Sequence, residues 1–245
     1  SNSGSWGLNK SAITGAALAK SGVRTLDMCR IGPILNDDPD ALDGGGPVKA
    51  LLIQNTNPMV VTPDHALTRK GFEREDLFTV VHEQFMTETA EMADIVLPAT
   101  MFLEHNDYYT RGGHTRVLYG PKLIKAPGEA RSNHFVINEV AKRVGADAAV
   151  LGQTDREVVA EVFAASGYGD LDEIEKTGYV DRALPDAEAR FANGFGWPDG
   201  KYRFRPDWET TRIKRGALWV CDPAEMSGMV DFMDWNEKVS DETPF

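Results

Sequence analysis

Polar side chains that could bind a ligand follow two apolar runs in this sequence. The run Val48 to Ile53 is followed by Gln54 and then by Asn55, Thr56, Asn57 and Pro58. Asparagine tolerates a left-handed backbone, so this loop can turn sharply and present its N–H groups to a ligand. A plain strand-to-helix turn explains the same residues, and for a short motif taken alone that simpler interpretation is favoured.

Glu83 follows the second apolar run, Leu77 to Val81, and a carboxylate placed there has two interpretations. It can accept the donors of a guanine Watson–Crick edge or hold a ribose hydroxyl, as acidic residues do in dinucleotide-binding folds. It can equally form a salt bridge or cap a helix. Thr87 or Thr89 is the predicted N-cap of the next helix, and Glu88 lies favourably near its positive end.

A further polar segment begins at Glu104 and ends at Arg116. It contains three side chains of types that bind zinc: His105, Asp107 and His114. Their spacing matches no zinc motif and no cysteine accompanies them, so hydrogen bonding is the expected role and no metal ligand is predicted. Gly112 and Gly113 lie between two arginines, which predicts a loop that approaches a polar or phosphorylated ligand.

The elements that must position these residues follow an α/β pattern. Three apolar runs are predicted strands: Ala50 to Ile53, Leu77 to Val81 and Ile95 to Leu97. Such runs are typical of a parallel sheet, whose ligands lie beyond the carboxyl ends of its strands. Periodicity, caps and terminal glycines predict helices at Leu8–Lys20, from Pro63 through Lys70, after Thr87 and at His134–Val144, the last capped by Ser132 or Asn133.

The sequence changes character after that helix. Two helices, Asp155–Ala165 and Leu171–Lys176, and a strand at Lys201–Arg205 are predicted in a region rich in Gly, Pro, Trp and charge. Its aromatic residues would cover a neighbouring domain as readily as form a core. We therefore predict an α/β domain over residues 1–146 and a helical, irregular extension over residues 147–245.

Composition limits the classes of partner. A formal net charge of -12 disfavours binding to nucleic acid and offers no basic strip to a membrane. The two cysteines, Cys29 and Cys221, form no metal-binding array and are expected to be thiols in a reducing, cytoplasmic compartment. No apolar run is long enough to span a bilayer. The chain opens without Met in a glycine-rich segment, which favours a piece of a larger protein.

Several motifs together resemble one known family. NTNP, FMTETA, ADIVLPATMFLEH and PGEARSNHFVINEVAKRVG occur in this order between Asn55 and Gly145. Their combination resembles the molybdopterin oxidoreductases of the dimethyl sulfoxide reductase and formate dehydrogenase type. The resemblance implies a Rossmann-like three-layer sandwich with a mostly parallel sheet. It also implies a bis(molybdopterin guanine dinucleotide) cofactor with molybdenum or tungsten, and transfer of an oxygen atom or a hydride equivalent.

The resemblance carries specific residues with it. Asn55 to Pro58 match the family's loop after the strand, with Asn55 where Gly is usual, and Glu83 and Thr87 match residues at the guanine end of the cofactor. Glu104 and His105 match the family's glutamate after the strand and its neighbour, for which a supporting role is expected. Gly112 and Gly113, predicted from their place between two arginines, complete the predicted cofactor-binding set.

No catalytic residue is assigned to this chain. An iron–sulfur cluster and the molybdenum ligand are expected on preceding polypeptide, and a β-barrel on polypeptide that follows. The expected partners are these remaining domains and an electron-transfer subunit. Two alternatives stay open at this stage, namely a scaffold subunit of the same fold without molybdenum and a free-standing nucleotide-binding module.

Overall fold

The computed structural model describes residues 8–14, 24–110, 114–146, 152–182, 185, 187 and 190–205. The helices are α1 Ser11–Thr14, α2 Ile31–Leu35, α3 Pro58–Val61, α4 His65–Phe72, α5 Glu88–Glu91, α6 Asn133–Arg143, α7 Asp155–Ala165 and α8 Leu171–Thr177, and a 3-10 turn at Met28–Arg30 precedes α2. The strands are β1 Ala50–Gln54, β2 Phe78–Glu83, β3 Ile95–Pro98, β4 Asp107–Thr110, β5 Arg116–Gly120 and β6 Tyr179–Asp181.

The three predicted strands form a parallel sheet in the order β1-β2-β3. Leu52 pairs with Val80, and Val80 pairs with Ile95. The fold is therefore mixed α/β with a three-stranded parallel sheet. Because the strands run parallel, the loops that follow them meet at one edge of the sheet, as the sequence predicts.

The two faces of this sheet differ in burial. One face packs against the helices that follow β1 and β2, in a core formed by Leu35, Ile53, Met59, Phe72, Leu77, Val81 and Ala90. On the opposite face Leu52, Phe78 and Ile95 keep 40%, 49% and 44% of their surface exposed. The three-layer Rossmann-like sandwich thus stays a prediction, since the described residues leave this apolar face partly uncovered.

Predicted caps begin the helices beside this sheet. The Thr87 hydroxyl accepts from the Ala90 N–H and begins α5, and the Ser132 hydroxyl accepts from the Phe135 N–H and begins α6. Each side chain satisfies one of the free N–H groups of a first helical turn. Proline is the first residue of α3, where its missing N–H costs nothing.

A second sheet was not predicted from the sequence. Strands β4 and β5 form an antiparallel hairpin, and β6 joins the far side of β5. The strands lie on either side of the predicted Arg111–Arg116 loop, in which His114 and Thr115 are not strand, while Gly112 and Gly113 lie outside the described residues. Antiparallel pairing supplies the hydrogen bonds that a long surface loop would lack.

The second core joins both halves of the chain. Val117 and Tyr119 of β5 pack with Val159, Val162 and Phe163 of α7 and with residues of the α8 region. Residues on either side of position 146 thus share one core. The division into residues 1–146 and 147–245 stays a prediction.

Two other predicted elements can be compared with the described residues. Lys201–Arg205 is not a strand, so that prediction was wrong. Gly200 instead closes a turn in which its N–H donates to the Trp197 carbonyl and its own carbonyl accepts from the Phe195 N–H. The helix predicted over Leu8–Lys20 is described only as α1, because residues 15–23 lie outside the described part.

Cys29 carries a free thiol, and none of the described helices is long and apolar enough to cross a bilayer.

Candidate functional site

The loop after β1 turns at Asn55, whose φ is 58°. This left-handed conformation is one that Gly and Asn adopt readily and most other residues avoid. An asparagine is therefore a conservative replacement for the glycine that the resemblance leads one to expect there. Asn55 and Thr56 are exposed, at the edge where a ligand of this sheet would lie.

On one side of the sheet edge, polar groups bind one another. The Asn57 amide donates to Glu88 Oε2 at 2.9 Å and accepts from Thr89 Oγ1 at 2.6 Å. Thr89 Oγ1 accepts in turn from the Met59 N–H at 3.1 Å. The hydrogen bond from Asn57 is the main reason that the pKa of Glu88 is lowered. We call Asn57, Met59, Glu88 and Thr89 the loop clamp, because they join the loop after β1 to α5.

Glu83 and Thr87 lie near the loop clamp. Successive side chains of a strand point to opposite faces, so Glu83 points to the same side as the buried Val81. Its Oε1 accepts from the Gln84 N–H at 2.6 Å. The Thr87 hydroxyl is engaged as the cap of α5. The structure thus brings Asn57, Glu83 and Thr87 to the helix-covered side of the sheet.

The other side of the edge opens into a cavity of about 540 Å³. Its near wall contains Gln54, Asn55, Gln84 and Thr100, which follow or end the three strands. The Gln84 amide donates to the Thr100 carbonyl at 2.8 Å and holds two of these loops together.

His82 supports the near wall of the cavity. It is fully buried, its Nε2 lies 3.0 Å from the Arg131 carbonyl and its Nδ1 lies 3.0 Å from Gln54 Nε2. A carbonyl only accepts, so in the neutral ring Nε2 carries the proton and Nδ1 accepts from the Gln54 amide. The imidazole therefore positions Gln54 at the cavity and fixes the chain before α6.

The far wall depends on Asn106. Its N–H and side-chain amide donate to the two carboxylate oxygens of Asp155, each at 3.0 Å. Its Oδ1 accepts from the Tyr119 hydroxyl at 2.8 Å and from the Lys122 N–H at 3.1 Å. Burial raises the pKa of Asp155, but the hydrogen bonds from Asn106 and the Arg156 N–H outweigh it and the net pKa is lowered. This network attaches α7 to the hairpin.

Tyr109 lines the cavity and has an unusual hydroxyl. Among the described residues, Tyr109 Oη is the one buried side-chain polar atom with no hydrogen-bond partner. Burial, and secondly the charge of Asp107, raise the pKa of Tyr109. Asp107 and Tyr109 are two residues apart on β4 and therefore share a face of the strand. A Cβ on Gly120 would lie 2.4 Å from the Tyr109 ring, so glycine makes room for it.

The charge of the cavity limits what it can bind. Its described lining includes two carboxylates, Asp107 and Asp155, several amides and two histidines, but neither Lys nor Arg. Such a surface disfavours a phosphate, whose usual partners are cations. It suits an uncharged polar group with several hydrogen-bond donors.

Comparisons with known proteins bear on the same segment. A family model described as molybdopterin oxidoreductase matches residues 39–143, which include the near-wall residues Gln54, Asn55, Gln84 and Thr100 but not Asp155 of the far wall. The probable oxidoreductase YoaE of Bacillus subtilis is 36% identical over 175 residues, which are 71% of this chain and 25% of that protein. The chain belongs to the molybdopterin oxidoreductase family. Membership supports a molybdopterin cofactor in the full-length protein.

Two further relatives agree with this assignment. A nitrate reductase of Symbiobacterium thermophilum is 32% identical over 195 residues, which are 79% of this chain and 22% of that protein. The fold is similar to that of acetylene hydratase from Pelobacter acetylenicus, with a TM-score of 0.54 and 25% identity over 70% of this chain and 23% of that one. The chain spans about a quarter of the length of these curated relatives.

The remaining predicted site residues of this molybdopterin-family chain have separate places. Glu104 is buried, its Oε2 accepts from the Met101 N–H and its own N–H donates to the Met101 carbonyl, so it braces the loop after β3. Gly112 and Gly113 lie outside the described residues. His105 Nδ1 is 2.8 Å from the Thr100 hydroxyl, and no group of three metal-binding side chains occurs in the part of the chain that is described.

The cavity residues that the sequence analysis missed include Gln54, Gln84, Asn106 and Tyr109. The first two adjoin predicted site residues and could have been found by extending each post-strand loop by one position. Asn106 and Tyr109 could not, because their role depends on the hairpin and on α7.

Proposed function

We propose that this chain binds the guanine dinucleotide end of a bis(molybdopterin guanine dinucleotide) cofactor in a molybdenum oxidoreductase. The observation that supports this most directly is the cavity beyond the carboxyl ends of β1 and β2, within a segment that matches the molybdopterin family model. In parallel α/β sheets this edge is the usual place for a nucleotide.

The lining agrees with a guanosine. Guanine presents N–H donors beside carbonyl and ring-nitrogen acceptors, and ribose adds two hydroxyls, so amides and carboxylates satisfy both. Gln54, Gln84 and Asp107 offer such groups. We assign the diphosphate to the exposed Asn55–Thr56 turn at the edge of the cavity rather than to the cavity interior, because the described lining contains neither Lys nor Arg.

Glu83 remains our candidate for the edge of the base. It ends β2 directly before the cavity residue Gln84, and its Oε1 is tied to the Gln84 N–H. Its side chain points to the helix-covered side of the sheet, so we propose that it meets the base at the strand ends, outside the cavity. Asn57, Thr87 and Glu104 support this arrangement from the loops, and Gly112 and Gly113 remain proposed contacts.

The bound cofactor would supply the redox chemistry, while this chain binds and orients it. In the full-length protein we further expect an iron–sulfur cluster, contacts with the remaining domains, an electron-transfer subunit and a cytoplasmic location. We expect these features to lie on polypeptide outside this chain or to depend on that polypeptide.

The test is a substitution of Glu83 in the full-length protein. Replacing Glu83 by Ala removes hydrogen bonds to a charged acceptor, so nucleotide affinity should fall by about 10- to 100-fold. Molybdenum is measured by elemental analysis, and released GMP by mass spectrometry. Glu91, exposed on α5, is the matched control, and Glu91→Ala should retain both.

Three outcomes separate the parts of the proposal. Unchanged molybdenum and GMP content in Glu83→Ala would show that Glu83 does not contribute to the site. Wild-type protein that contains molybdopterin but releases no GMP would show that the dinucleotide form is wrong. Wild-type protein without molybdenum would instead favour the scaffold alternative.

A further inference from the structure

Two histidines beside the cavity differ in whether their hydrogen-bond partners fit a second ring proton. His82 is fully buried, with its Nε2–H on the Arg131 carbonyl and its Nδ1 opposite the Gln54 amide nitrogen. A proton added to Nδ1 would point at a donor, because that amide nitrogen only donates. The partners of His82 therefore fit only the neutral ring.

His105 has partners that fit both forms of its ring. Its Nδ1 is 2.8 Å from the Thr100 hydroxyl, and its Nε2 is 3.9 Å from Asp107 Oδ2. A hydroxyl both donates and accepts, so Thr100 can donate to Nδ1 of the neutral ring and accept from the Nδ1–H of the charged ring. In both forms Nε2 carries a proton on the side of the Asp107 carboxylate. His105 can therefore gain or lose a proton while one hydroxyl rotates.

The His105 side chain lies among the charged groups of the cavity. It lines the cavity and keeps 20% of its surface exposed. The other titratable groups of the described lining are Asp107 on β4, Asp155 on α7 and His134 on α6, and the carboxylate of the preceding residue, Glu104, is bound to a backbone N–H. Because this lining contains neither Lys nor Arg, a proton on His105 offsets one of its two carboxylate charges.

The effect of His105 on Asp155 shows that its charge acts over a distance. Burial raises the pKa of Asp155, hydrogen bonds from Asn106 and the Arg156 N–H lower it, and the charge of His105 lowers it further. A cavity of about 540 Å³ is roughly 10 Å across, which is about one Debye length at 0.1 M salt. A charge on His105 therefore reaches a ligand anywhere in the cavity or at its edge.

We propose that protonation of His105 regulates nucleotide binding at this cavity, so that affinity rises as the pH falls. This inference rests on the proposed function and deepens it. The two carboxylates repel the phosphates that we assign to the Asn55–Thr56 turn, and a protonated His105 offsets part of that repulsion. A bound phosphate in turn favours the charged ring, so the gain in affinity is complete at low pH and is lost as the pH rises through the histidine range of about pH 5 to pH 8.

The experiment measures GMP affinity of nucleotide-free full-length protein by calorimetry between about pH 5.5 and about pH 8. The phosphate of GMP itself titrates at about pH 6, so wild type is compared at each pH with His105→Gln, for which the ligand titrates identically. From the high to the low end of this range, wild type should gain about three- to tenfold in affinity relative to His105→Gln, the effect of one unit charge roughly 10 Å away. Uncharged guanosine should show no such gain.

Two further variants separate a proton switch from a structural role. His134→Gln is the matched control, because His134 lines the same cavity but its Nε2 is 2.6 Å from the Gln153 carbonyl instead of facing a carboxylate. This variant should keep the wild-type pH dependence. Thr100→Val should move the gain to lower pH, since the charged Nδ1–H of His105 then lacks its acceptor. A purely structural role would lower affinity equally at every pH.

The outcomes distinguish the two proposals. If wild type and His105→Gln bind GMP with the same pH dependence, the switch is wrong while nucleotide binding stands. The switch is equally wrong if His134→Gln loses the gain and His105→Gln keeps it, or if guanosine shows the same gain as GMP. If wild-type protein binds no GMP at any pH, both proposals are overturned.

Discussion

Polar groups on the two sides of the sheet edge differ in how far their hydrogen bonds are made within the protein. On the helix-covered side, the loop clamp satisfies Asn57, Thr89 and the Met59 N–H within the protein. On the cavity side, the Gln54 and Gln84 amides each make one hydrogen bond within the protein and also line open space, while the buried Tyr109 hydroxyl has no partner among the described residues. Polar groups that bind one another stabilise the fold, whereas those left open are available to a ligand.

Residues of one family-like motif lie on different sides of this edge. Asn57 and Thr87 belong to the family-like motifs, yet their side chains complete the clamp and the cap of α5. Asn55, two positions before Asn57, lines the cavity. Adjacent positions of one loop can therefore serve stability and binding separately.

The largest expected effect comes from removing the far wall of the cavity. Phe163 is fully buried and meets Tyr108 edge to face, with ring centroids 6.1 Å apart. Phe163→Ala should lower the free energy of unfolding by about 3–5 kcal/mol and weaken GMP binding, since α7 then packs poorly on the hairpin. Urea denaturation with a GMP titration checks both.

Phe204, which is 87% exposed, is the control, and Phe204→Ala should change the free energy of unfolding by no more than about 0.5 kcal/mol. If Phe163→Ala destabilises strongly but binds GMP normally, the far wall does not contribute to the site.

The loop clamp gives the next prediction. Thr89→Val keeps the side-chain shape but leaves the buried Met59 N–H without its acceptor, which should cost about 1–3 kcal/mol. The affinity for GMP should stay at the wild-type value. Thr89→Ser retains the hydroxyl and is the matched control in the same denaturation series.

A Thr89→Val protein of normal stability that binds GMP poorly would reverse the comparison, because the clamp would then be part of the binding site.

The smallest effect concerns Asp155 and pH. Its pKa is lowered in the folded protein, so its stabilising contribution is complete above the unfolded pKa and is lost as pH falls through the folded value. Asp155→Asn should lower the free energy of unfolding at pH 7 by about 1 kcal/mol, at the low end for a partly exposed charged acceptor.

Acid titration of the melting temperature checks this prediction. The variant should lose less stability than wild type as the pH falls below about 3.9, the ordinary pKa of an aspartate, because the lowered pKa of Asp155 lies in that direction. Equal acid sensitivity of the two proteins would mean that the Asn106 network does not depend on the charge.

The parallel strands and the helix caps could be predicted because their signals are local. The apolar runs at Ala50, Leu77 and Ile95 each coincide with a strand, and Thr87 and Ser132 cap the predicted helices. The hairpin was missed, although Tyr108 and Tyr109 before Gly112 and Gly113, and Val117 after them, are strand-forming residues on either side of a glycine pair.

The sequence by itself determined the parallel α/β pattern, the turn at Asn55 and the family, since runs, caps and motifs lie within short stretches of chain. Only the tertiary structure decided which side of the edge is open. The cavity joins residues as distant as Ile13 and Val159, and the unpaired Tyr109 hydroxyl follows from how the hairpin and α7 pack. Contacts between distant segments leave no periodicity in the sequence, so packing alone separates the clamp from the cavity.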